Sequence, residues 1–212
     1  MSTMEKKSKK TVGSSSEAFK TQQRKDDSTR VFTYAQLSEM TNQFDNLVGE
    51  GQYAKVYKGR LNNKDIAVKI YLKQKKMYWE NEIKALMAFD HPNIVTLLGT
   101  NDNNDDERLC LVLNYLPKNL EVVLEEGNLG WPQVHKILSQ LAAAIGKISG
   151  KIFVVGDIKP KNVLLDEEYN VCLCDFGSAK IGGKDLPTVN TRQKKYYLME
   201  REHQLPMSTV SV

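Results

Sequence analysis

Apolar residues in the first half of this chain recur with the spacing of β-strands. "LVGEGQYAKVYKG" (47–59) and "DIAVKIYL" (65–72) are rich in Val, Ile and Tyr, and they predict a strand, a turn and two further strands. Short strands are also predicted at "NIVTLLGT" (93–100) and "RLCLVLNYL" (108–116), separated by the turn-rich "NDNNDDE". The first half is therefore predicted to form a sheet.

Helical spacing appears in three places. "FTYAQLSEMTNQF" (32–44) predicts a short helix packed on the edge of the domain, and "MYWENEIKALMAF" (77–89) predicts a second helix. The third and strongest pattern is "WPQVHKILSQLAAAIGKIS" (131–149), where Pro132 suits the first helical turn. The apolar faces of these three helices are Leu37, Met40 and Phe44; Ile83, Leu86 and Met87; and Val134, Ile137, Leu138, Leu141 and Ile145.

Strands at "NVLLD" (162–166) and "NVCLCDF" (170–176) are predicted after the long helix. The order of elements indicates an α+β protein with a strand-rich first lobe and a helix-led second lobe. A cleft between two such lobes is the natural place for a ligand.

Charge is concentrated at the start of the chain. Residues 1–30 contain eight Lys or Arg and four Asp or Glu, which accounts for the whole formal net charge of +4. This polar arm has too few large apolar residues to fold. We interpret it as a solvated tail without specific nucleic-acid binding, and weak contact with an anionic membrane surface is the alternative.

The chain has no apolar run approaching the ~20 residues that span a bilayer. "MSTMEKKSKK" lacks the apolar core of a secretory signal, so a cytoplasmic location is expected, with peripheral contact at the plasma membrane as an extension of the weak-contact alternative. The three cysteines, Cys110, Cys172 and Cys174, lie inside apolar runs and are expected to be small buried residues rather than disulfide partners.

The turn in "VGEGQYAKV" is the first candidate for ligand chemistry. Gly49 and Gly51 would let a hairpin backbone lie close over phosphate oxygens, although Ala54 stands where a third glycine would strengthen the pattern. Val56 could cover the face of a flat base. A single glycine-rich turn is weak evidence, because most such turns are only tight turns.

Lys69 in "IAVKI" is the second candidate. An ammonium between apolar strand residues is costly to bury unless phosphate or carboxylate groups satisfy it. Glu82 in the following helix is the preferred carboxylate, and Glu80, on a different face of that helix, is the rival. An exposed lysine that only extends into solvent is the alternative.

"VVGDIKPKN" (154–162) carries the third group of candidates. Asp157 could orient a substrate hydroxyl and accept its proton, and Lys159 could neutralise a phosphoryl group during transfer. Asn162 could bind a metal through its amide oxygen, together with Asp175 of "CDFG", because Mg²⁺ prefers oxygen ligands. Phosphoryl transfer needs mainly positioning and charge neutralisation, so this small set would suffice.

Taken in order, "GEGQYAKV", "AVK", the helical glutamate, "DIKPKN" and "DFG" resemble a eukaryotic protein kinase, and Lys159 resembles the serine/threonine form of the loop. "FTYAQLSEMTNQFDN", "HPNIVTLLG" and "DIKPKNVLLD" are similar to the plant receptor-like and Pelle group, of which the cytoplasmic branch is the closer match.

The resemblance implies an ATP- and Mg²⁺-dependent protein kinase that acts on a protein substrate under an upstream receptor kinase. It implies a catalytic Asp157 and Lys159, and metal binding by Asn162 and Asp175. It makes Leu113 the gatekeeper and places adenine among Val56, Ala67 and Leu164, beside a hinge at Asn114–Leu116. The implied ATP-binding set is Val48, Gly49, Glu50, Gly51, Gln52, Tyr53, Ala54, Val56, Ala67, Lys69, Glu82, Leu113, Asn114, Tyr115, Leu116 and Leu164.

It also implies domain boundaries. After the arm, residues 31–46 would form a lead-in segment, and 47–194 a partial kinase domain with a first lobe at 47–116 and a shortened second lobe at 117–194. Residues 195–212 would be a divergent tail.

The sequence departs from the kinase pattern at two places. Val155 and Gly156 replace the His and Arg that usually precede the catalytic aspartate, and Val155 is expected to pack under Phe176. Without that arginine, phosphorylation of the activation segment, where Ser178, Thr188 and Thr191 are candidate sites, should matter less.

From Lys195 onward the pattern is lost. Tyr196 stands where a threonine is expected, and the later helices of the second lobe are missing. A truncated, non-catalytic nucleotide-binding module that docks to a receptor or kinase is therefore the alternative function.

Overall fold

The computed structural model describes residues 30–101, 108–149, 153–154 and 157–181. The basic arm before Arg30, Val155, Gly156, Thr188, Thr191 and the tail at 195–212 lie outside the described residues. Residues 102–107 of the acidic turn also lie outside the described residues. The predicted packing of Val155 under Phe176 therefore stays a prediction.

A six-stranded sheet forms the first lobe, in the order β1-β5-β6-β4-β3-β2. Its strands are β1 (Arg30–Phe32), β2 (Leu47–Glu50), β3 (Ala54–Leu61), β4 (Lys64–Leu72), β5 (Leu97–Asn101) and β6 (Arg108–Asn114). All neighbouring pairs are antiparallel except β1 and β5, which are parallel.

Four helices are described: α1 (Tyr34–Met40), α2 (Lys76–Ala88), α3 (Leu120–Glu126) and α4 (Trp131–Ser149). In the second lobe, β7 (Lys118–Asn119), β9 (Val163–Leu165) and β10 (Val171–Leu173) form a three-stranded sheet. The strands β8 (Phe153–Val154) and β11 (Lys180–Ile181) pair with each other. This is the predicted α+β architecture.

Both faces of the large sheet are covered, because side chains alternate along β4 and β6. Ile66, Val68, Cys110 and Val112 point to one face, where they form a core with Phe32 and Leu37 of the lead-in segment. The opposite face carries Ala67, Tyr71, Leu109, Leu111 and Leu113, which pack against α2 and join the core of the second lobe. Lys69 falls on this second face, between Ala67 and Tyr71.

The lead-in segment seats closely on the sheet. A capping box between Thr33 and Gln36 starts α1, and Leu37 is fully buried. A methyl group added at Gly59 would lie 2.6 Å from the carbonyl oxygen of Met40, and one added at Gly99 would lie 2.4 Å from Cε2 of Phe32. These two glycines allow the close approach of α1 and β1.

The first helix is shorter than its sequence pattern predicts. It ends at Met40, because Asn42, Gln43 and Phe44 all have positive φ. Phe44 lies in the turn and still packs against aromatic neighbours. Its ring centroid is 5.1 Å from that of Tyr34 and 5.4 Å from that of Tyr57.

The long helix has the predicted bounds, and four of the five residues of its predicted apolar face are buried or half-buried. Ile137, Ala144 and Ile148 are buried, whereas Leu138 is 58% exposed, so its prediction as a core residue is wrong. Leu141 is half-buried and packs on the same core. Ala144 was not included in the predicted face, because alanine contributes little to a hydrophobic pattern.

The cysteines are free, as predicted: Cys110 and Cys172 are buried and Cys174 is half-buried. Among the described residues, no helix has the length and hydropathy to span a membrane.

Candidate active site

Lys69 lies where the two lobes meet, at the position of the predicted cleft. Its Nζ donates to Oε2 of Glu82 at 2.7 Å and to Oδ1 of Asp175 at 2.9 Å. The strand β4 supplies the lysine, α2 the glutamate, and the segment after β10 the aspartate. Of the two carboxylates that the sequence left open, Glu82 contacts Lys69, while Glu80 lies near Lys76 and Lys84.

The two carboxylates hold the lysine in its charged form. Burial alone would lower the pKa of Lys69, but the attraction of Glu82 and Asp175 outweighs burial, so the pKa lies well above its usual value. Burial alone would raise the pKa of Asp175, but the ammonium of Lys69 and a hydrogen bond from the backbone N–H of Gly177 lower it. Both groups are therefore charged at neutral pH.

Glu82 is fully buried, and its two oxygens have different surroundings. Oε2 accepts hydrogen bonds from Lys69 and from the hydroxyl of Tyr71. Oε1 is buried and has no hydrogen-bond partner among the described residues. The charge of this carboxylate is thus satisfied on one side only.

The loop at 157–162 has a compact internal structure. Nζ of Lys159 donates to Oδ2 of Asp157 at 2.6 Å, and Nδ2 of Asn162 donates to the backbone oxygen of Asp157 at 2.9 Å. The hydrogen bond with Asp157 raises the pKa of Lys159. Pro160–Asn162 form a 3-10 turn that brings Asn162 back towards Asp157.

One backbone hydrogen bond joins this loop to the Asp175 segment. The N–H of Cys174 donates to the carbonyl of Asn162 at 2.9 Å, so the segments that carry Asn162 and Asp175 lie next to each other. Asp175 has φ of 63°, a left-handed conformation that is uncommon for non-glycine residues, although aspartate adopts it more readily than most. Phe176, next to it, is buried in the core that joins the lobes.

The glycine-rich turn connects β2 and β3, and the N–H of Gly51 donates to the carbonyl of Ala54 at 3.0 Å. Neither Gly49 nor Gly51 has a positive φ, and a methyl group on either would meet only ordinary contacts. Backbone strain therefore does not explain these glycines, and close approach of a ligand remains their predicted role. Glu50 pairs with Lys55, and Gln52 is exposed at the tip.

Tyr53, also at the tip, stacks on Tyr78 of α2 with ring centroids 3.8 Å apart. A hydrogen bond with Tyr78 raises the pKa of Tyr53, as do burial and the negative charges of Asp157 and Asp175. Stacking on Tyr78 therefore places the tip of the turn against α2.

The residues predicted to surround adenine come from both lobes. Val56, Leu164, Tyr115 and Leu116 are half-buried and pack on the main core, while Ala67 and Leu113 are buried within it. Val48 is 43% exposed. Asn114, the first residue of the predicted hinge, ends β6, and its side chain accepts a hydrogen bond from the N–H of Thr96, just before β5.

Two residues beside Lys69 and Asp175 were not predicted. The first is Tyr71, which contacts Glu82, and the second is Asn81, whose Nδ2 donates to the carbonyl of Gly177 at 3.3 Å. The strand period of two could have identified Tyr71, because it places Tyr71 on the same face as Lys69. Asn81 carries no comparable signal.

The donor chemistry of the site fits Mg²⁺. The amide nitrogen of Asn162 donates a hydrogen bond to the backbone oxygen of Asp157. The amide oxygen of Asn162 is therefore the atom that could bind a cation. Among the described residues there is no cluster of three or more His, Cys, Asp or Glu that could hold a metal. A site with one amide and one carboxylate suits Mg²⁺, which usually keeps waters and binds phosphate oxygens as well.

Comparison with known proteins agrees with this geometry. The family model described as the protein kinase domain matches residues 42–200. A probable receptor-like protein kinase of Arabidopsis thaliana is 37% identical over 75% of this chain and 50% of its own length. A probable L-type lectin-domain containing receptor kinase of the same plant is 38% identical over 71% of this chain and 24% of its own length.

The probable serine/threonine-protein kinase PBL22 of Arabidopsis thaliana is 33% identical over 72% of this chain and 44% of its own length. The chain therefore spans at most about half of these relatives. It belongs to the protein kinase family, and its relatives include plant receptor-like kinases.

Proposed function

We propose that the chain binds ATP with Mg²⁺ in the cleft between its lobes and transfers the γ-phosphate to a serine or threonine hydroxyl of a protein. The observation that carries this proposal is the pairing of Lys69 with both Glu82 and Asp175. Lys69 is placed to bind phosphate oxygens, and the carboxylate of Asp175, which is 37% exposed, is accessible to a metal ion.

In this function Lys69 binds the phosphates, and Asn162 and Asp175 hold Mg²⁺, which would neutralise charge on the phosphoryl group when bound. Asp157 orients the substrate hydroxyl and accepts its proton as the oxygen forms a bond to the γ-phosphorus. The bond from that phosphorus to the β–γ bridging oxygen breaks, and the oxygen leaves with ADP. Lys159, held by Asp157, neutralises the transferred group.

The wider set of ATP-binding residues, the domain boundaries and the cellular setting are part of the same proposal. The relatives support a receptor-like type of kinase, so a protein substrate and an upstream receptor kinase are the proposed partners. We propose a cytoplasmic location, with weak membrane-surface contact through residues 1–30.

Transfer of radioactive phosphate from ATP to a generic protein tests the reaction in the full chain. Asp157→Asn and Lys159→Ala should abolish transfer. Lys161→Ala is the matched control, because Lys161 lies in the same loop but pairs with Glu121 and should leave transfer unchanged. Equal loss in all three variants, or no transfer by a folded wild-type protein that binds ATP, would contradict the proposal.

A nucleotide-binding module without transfer is the second candidate function. The stacking of Tyr53 on Tyr78 favours it, because the tip of the turn that would cover the phosphates is held against α2. Calorimetry with ATP and Mg²⁺ separates the two candidates. Binding together with transfer supports the kinase, whereas binding without transfer supports the module.

A further inference from the structure

Tyr71 occupies a central position beside the ion pairs of the cleft. It follows Lys69 by two positions on β4, so both side chains point to the face of the sheet that α2 covers. Only 1% of Tyr71 is exposed, and its hydroxyl donates to Oε2 of Glu82. Nζ of Lys69 lies 5.1 Å from the centre of its ring. Tyr71 thus contacts both members of the Lys69–Glu82 pair.

The hydroxyl matters because Glu82 has few other partners. Its Oε1 is buried without a hydrogen-bond partner among the described residues, and Oε2 has the two donors Lys69 and Tyr71. A buried carboxylate needs its donors to offset the loss of hydration. If Lys69 turns towards a phosphate, Tyr71 is the donor that keeps Glu82 in place.

Tyr71 also lies close to the segment that carries Asp175. A methyl group added at Gly177 would lie 3.4 Å from the Tyr71 hydroxyl and 3.4 Å from Cβ of Tyr78. From α2, Asn81 donates to the carbonyl of Gly177. The hydroxyl therefore lies where β4, α2 and the Asp175–Gly177 segment meet.

We propose that Tyr71 is a positioning residue: its hydroxyl fixes Glu82 so that α2 stays packed against β4 and the Asp175–Gly177 segment, with Lys69 directed into the cleft. The consequence for ATP rests on the proposed function, because it assumes that Lys69 binds phosphate. Burial and the charge of Glu82 raise the pKa of Tyr71, so the hydroxyl keeps its proton and acts as a donor across the physiological range.

The test compares Tyr71→Phe with Tyr57→Phe in the full chain. Both changes remove one hydroxyl and keep the ring, but Tyr57 lies on β3 and packs against Phe44 of the lead-in segment. In Tyr71→Phe, amide hydrogen exchange across α2 should become roughly tenfold faster, because a hydrogen bond to a charged group is lost. The dissociation constant for ATP with Mg²⁺ should rise by a similar factor. Tyr57→Phe should change neither quantity.

A double-mutant cycle with Glu82→Leu, which removes both acceptor oxygens, separates positioning from simple core packing. If Tyr71 acts through Glu82, Tyr71→Phe should add little to the effect of Glu82→Leu on exchange in α2 and on ATP affinity. Additive effects, or unchanged exchange in a folded Tyr71→Phe protein, would overturn the proposal. If wild-type protein binds no ATP, the proposed function fails, while the exchange cycle without nucleotide still decides the role of Tyr71.

Discussion

Lys69 and Asp175 lie 106 positions apart in the chain, yet Nζ of the lysine donates to Oδ1 of the aspartate at 2.9 Å. The first residue belongs to the six-stranded sheet, and the second follows a strand of the other lobe. Their ion pair therefore joins the two lobes at the cleft. The same lysine is held by Glu82 of α2, so one ammonium connects three separate elements.

The first prediction concerns the stability that this lysine provides. Lys69→Met should lower the free energy of unfolding by about 3–5 kcal/mol, because it leaves Glu82 buried with Tyr71 as its remaining donor. Urea unfolding followed by circular dichroism measures the change. Lys69→Met combined with Glu82→Gln should recover much of the loss, because the second change removes the uncompensated charge.

Lys159→Met is the matched control for this prediction. Lys159 also pairs with an aspartate, but its side chain is 45% exposed, so water replaces the lost partner and stability should hardly change. Equal destabilisation by Lys69→Met and Lys159→Met would mean that the buried carboxylate is not the source of the effect.

The second prediction concerns the pH dependence of stability. The pKa of Asp175 is lower in the folded protein than the unfolded value of about 3.9. Its charge therefore contributes stability above the unfolded pKa, and this contribution is lost as the pH falls through the folded pKa. The difference in unfolding free energy between wild type and Asp175→Asn should accordingly shift in favour of wild type as the pH rises from about 2 to 5.

Lys69→Met is the control for the direction in which this free-energy difference changes with pH. In that background the attraction of the ammonium is gone, while burial and the hydrogen bond from Gly177 remain, so the pKa of Asp175 should rise and the slope with pH should become weaker. Both slopes are measured by denaturant unfolding across this pH range of the wild type, Asp175→Asn, Lys69→Met and the double variant. A slope that Lys69→Met leaves unchanged would show that the lysine does not cause the shift.

The elements that place Lys69 and Glu82 could be predicted because their patterns are local. Alternating apolar residues identified β4, and helical spacing identified α2. Glu82 was preferred and Glu80 was its rival, because two nearby positions on a helix differ only in the direction of their side chains. Packing of α2 against β4 settles that direction, and it is also what brings the unpredicted Tyr71 hydroxyl to Glu82.

The pairing of β1 could not be predicted in the same way. Its three residues are too few for a pattern, and its partner strand β5 lies far along the chain and runs parallel to it. The left-handed turn after α1 was also missed, because Asn42, Gln43 and Phe44 include no glycine that would indicate positive φ. Predictions that fall on Val155, Gly156 and the tail after Lys195 remain predictions.

The third prediction concerns the seating of the lead-in segment. Gly59→Ala and Gly99→Ala should each lower the free energy of unfolding by about 1–3 kcal/mol, because the new methyl group meets the backbone of Met40 or Arg30 and the ring of Phe32. Hydrogen exchange in α1 should become faster in both variants. Denaturant unfolding measures the stability change.

Gly146→Ala is the opposite control, since Gly146 lies within α4 and a methyl group there meets nothing within 4 Å. This substitution should stabilise the protein by roughly 0.5–1 kcal/mol, because alanine loses less backbone entropy in a helix than glycine. If Gly59→Ala and Gly99→Ala also stabilise, the lead-in segment does not pack closely on the sheet.

The last prediction concerns Cys174, the residue immediately before Asp175. Burial is the main cause that raises the pKa of its thiol, and the negative charges of Asp175 and Glu82 add to it, although Lys69 opposes them. Because the thiolate is the reactive form, alkylation of Cys174 by iodoacetamide at pH 8 should be at least about tenfold slower in the native protein than in urea. Peptide mass spectrometry measures both rates, and the described cysteines should all label in urea, as expected of free thiols. Rapid native labelling of Cys174 would mean that the segment carrying Asp175 opens readily to solvent, and that the ion pair with Lys69 does not hold it in place.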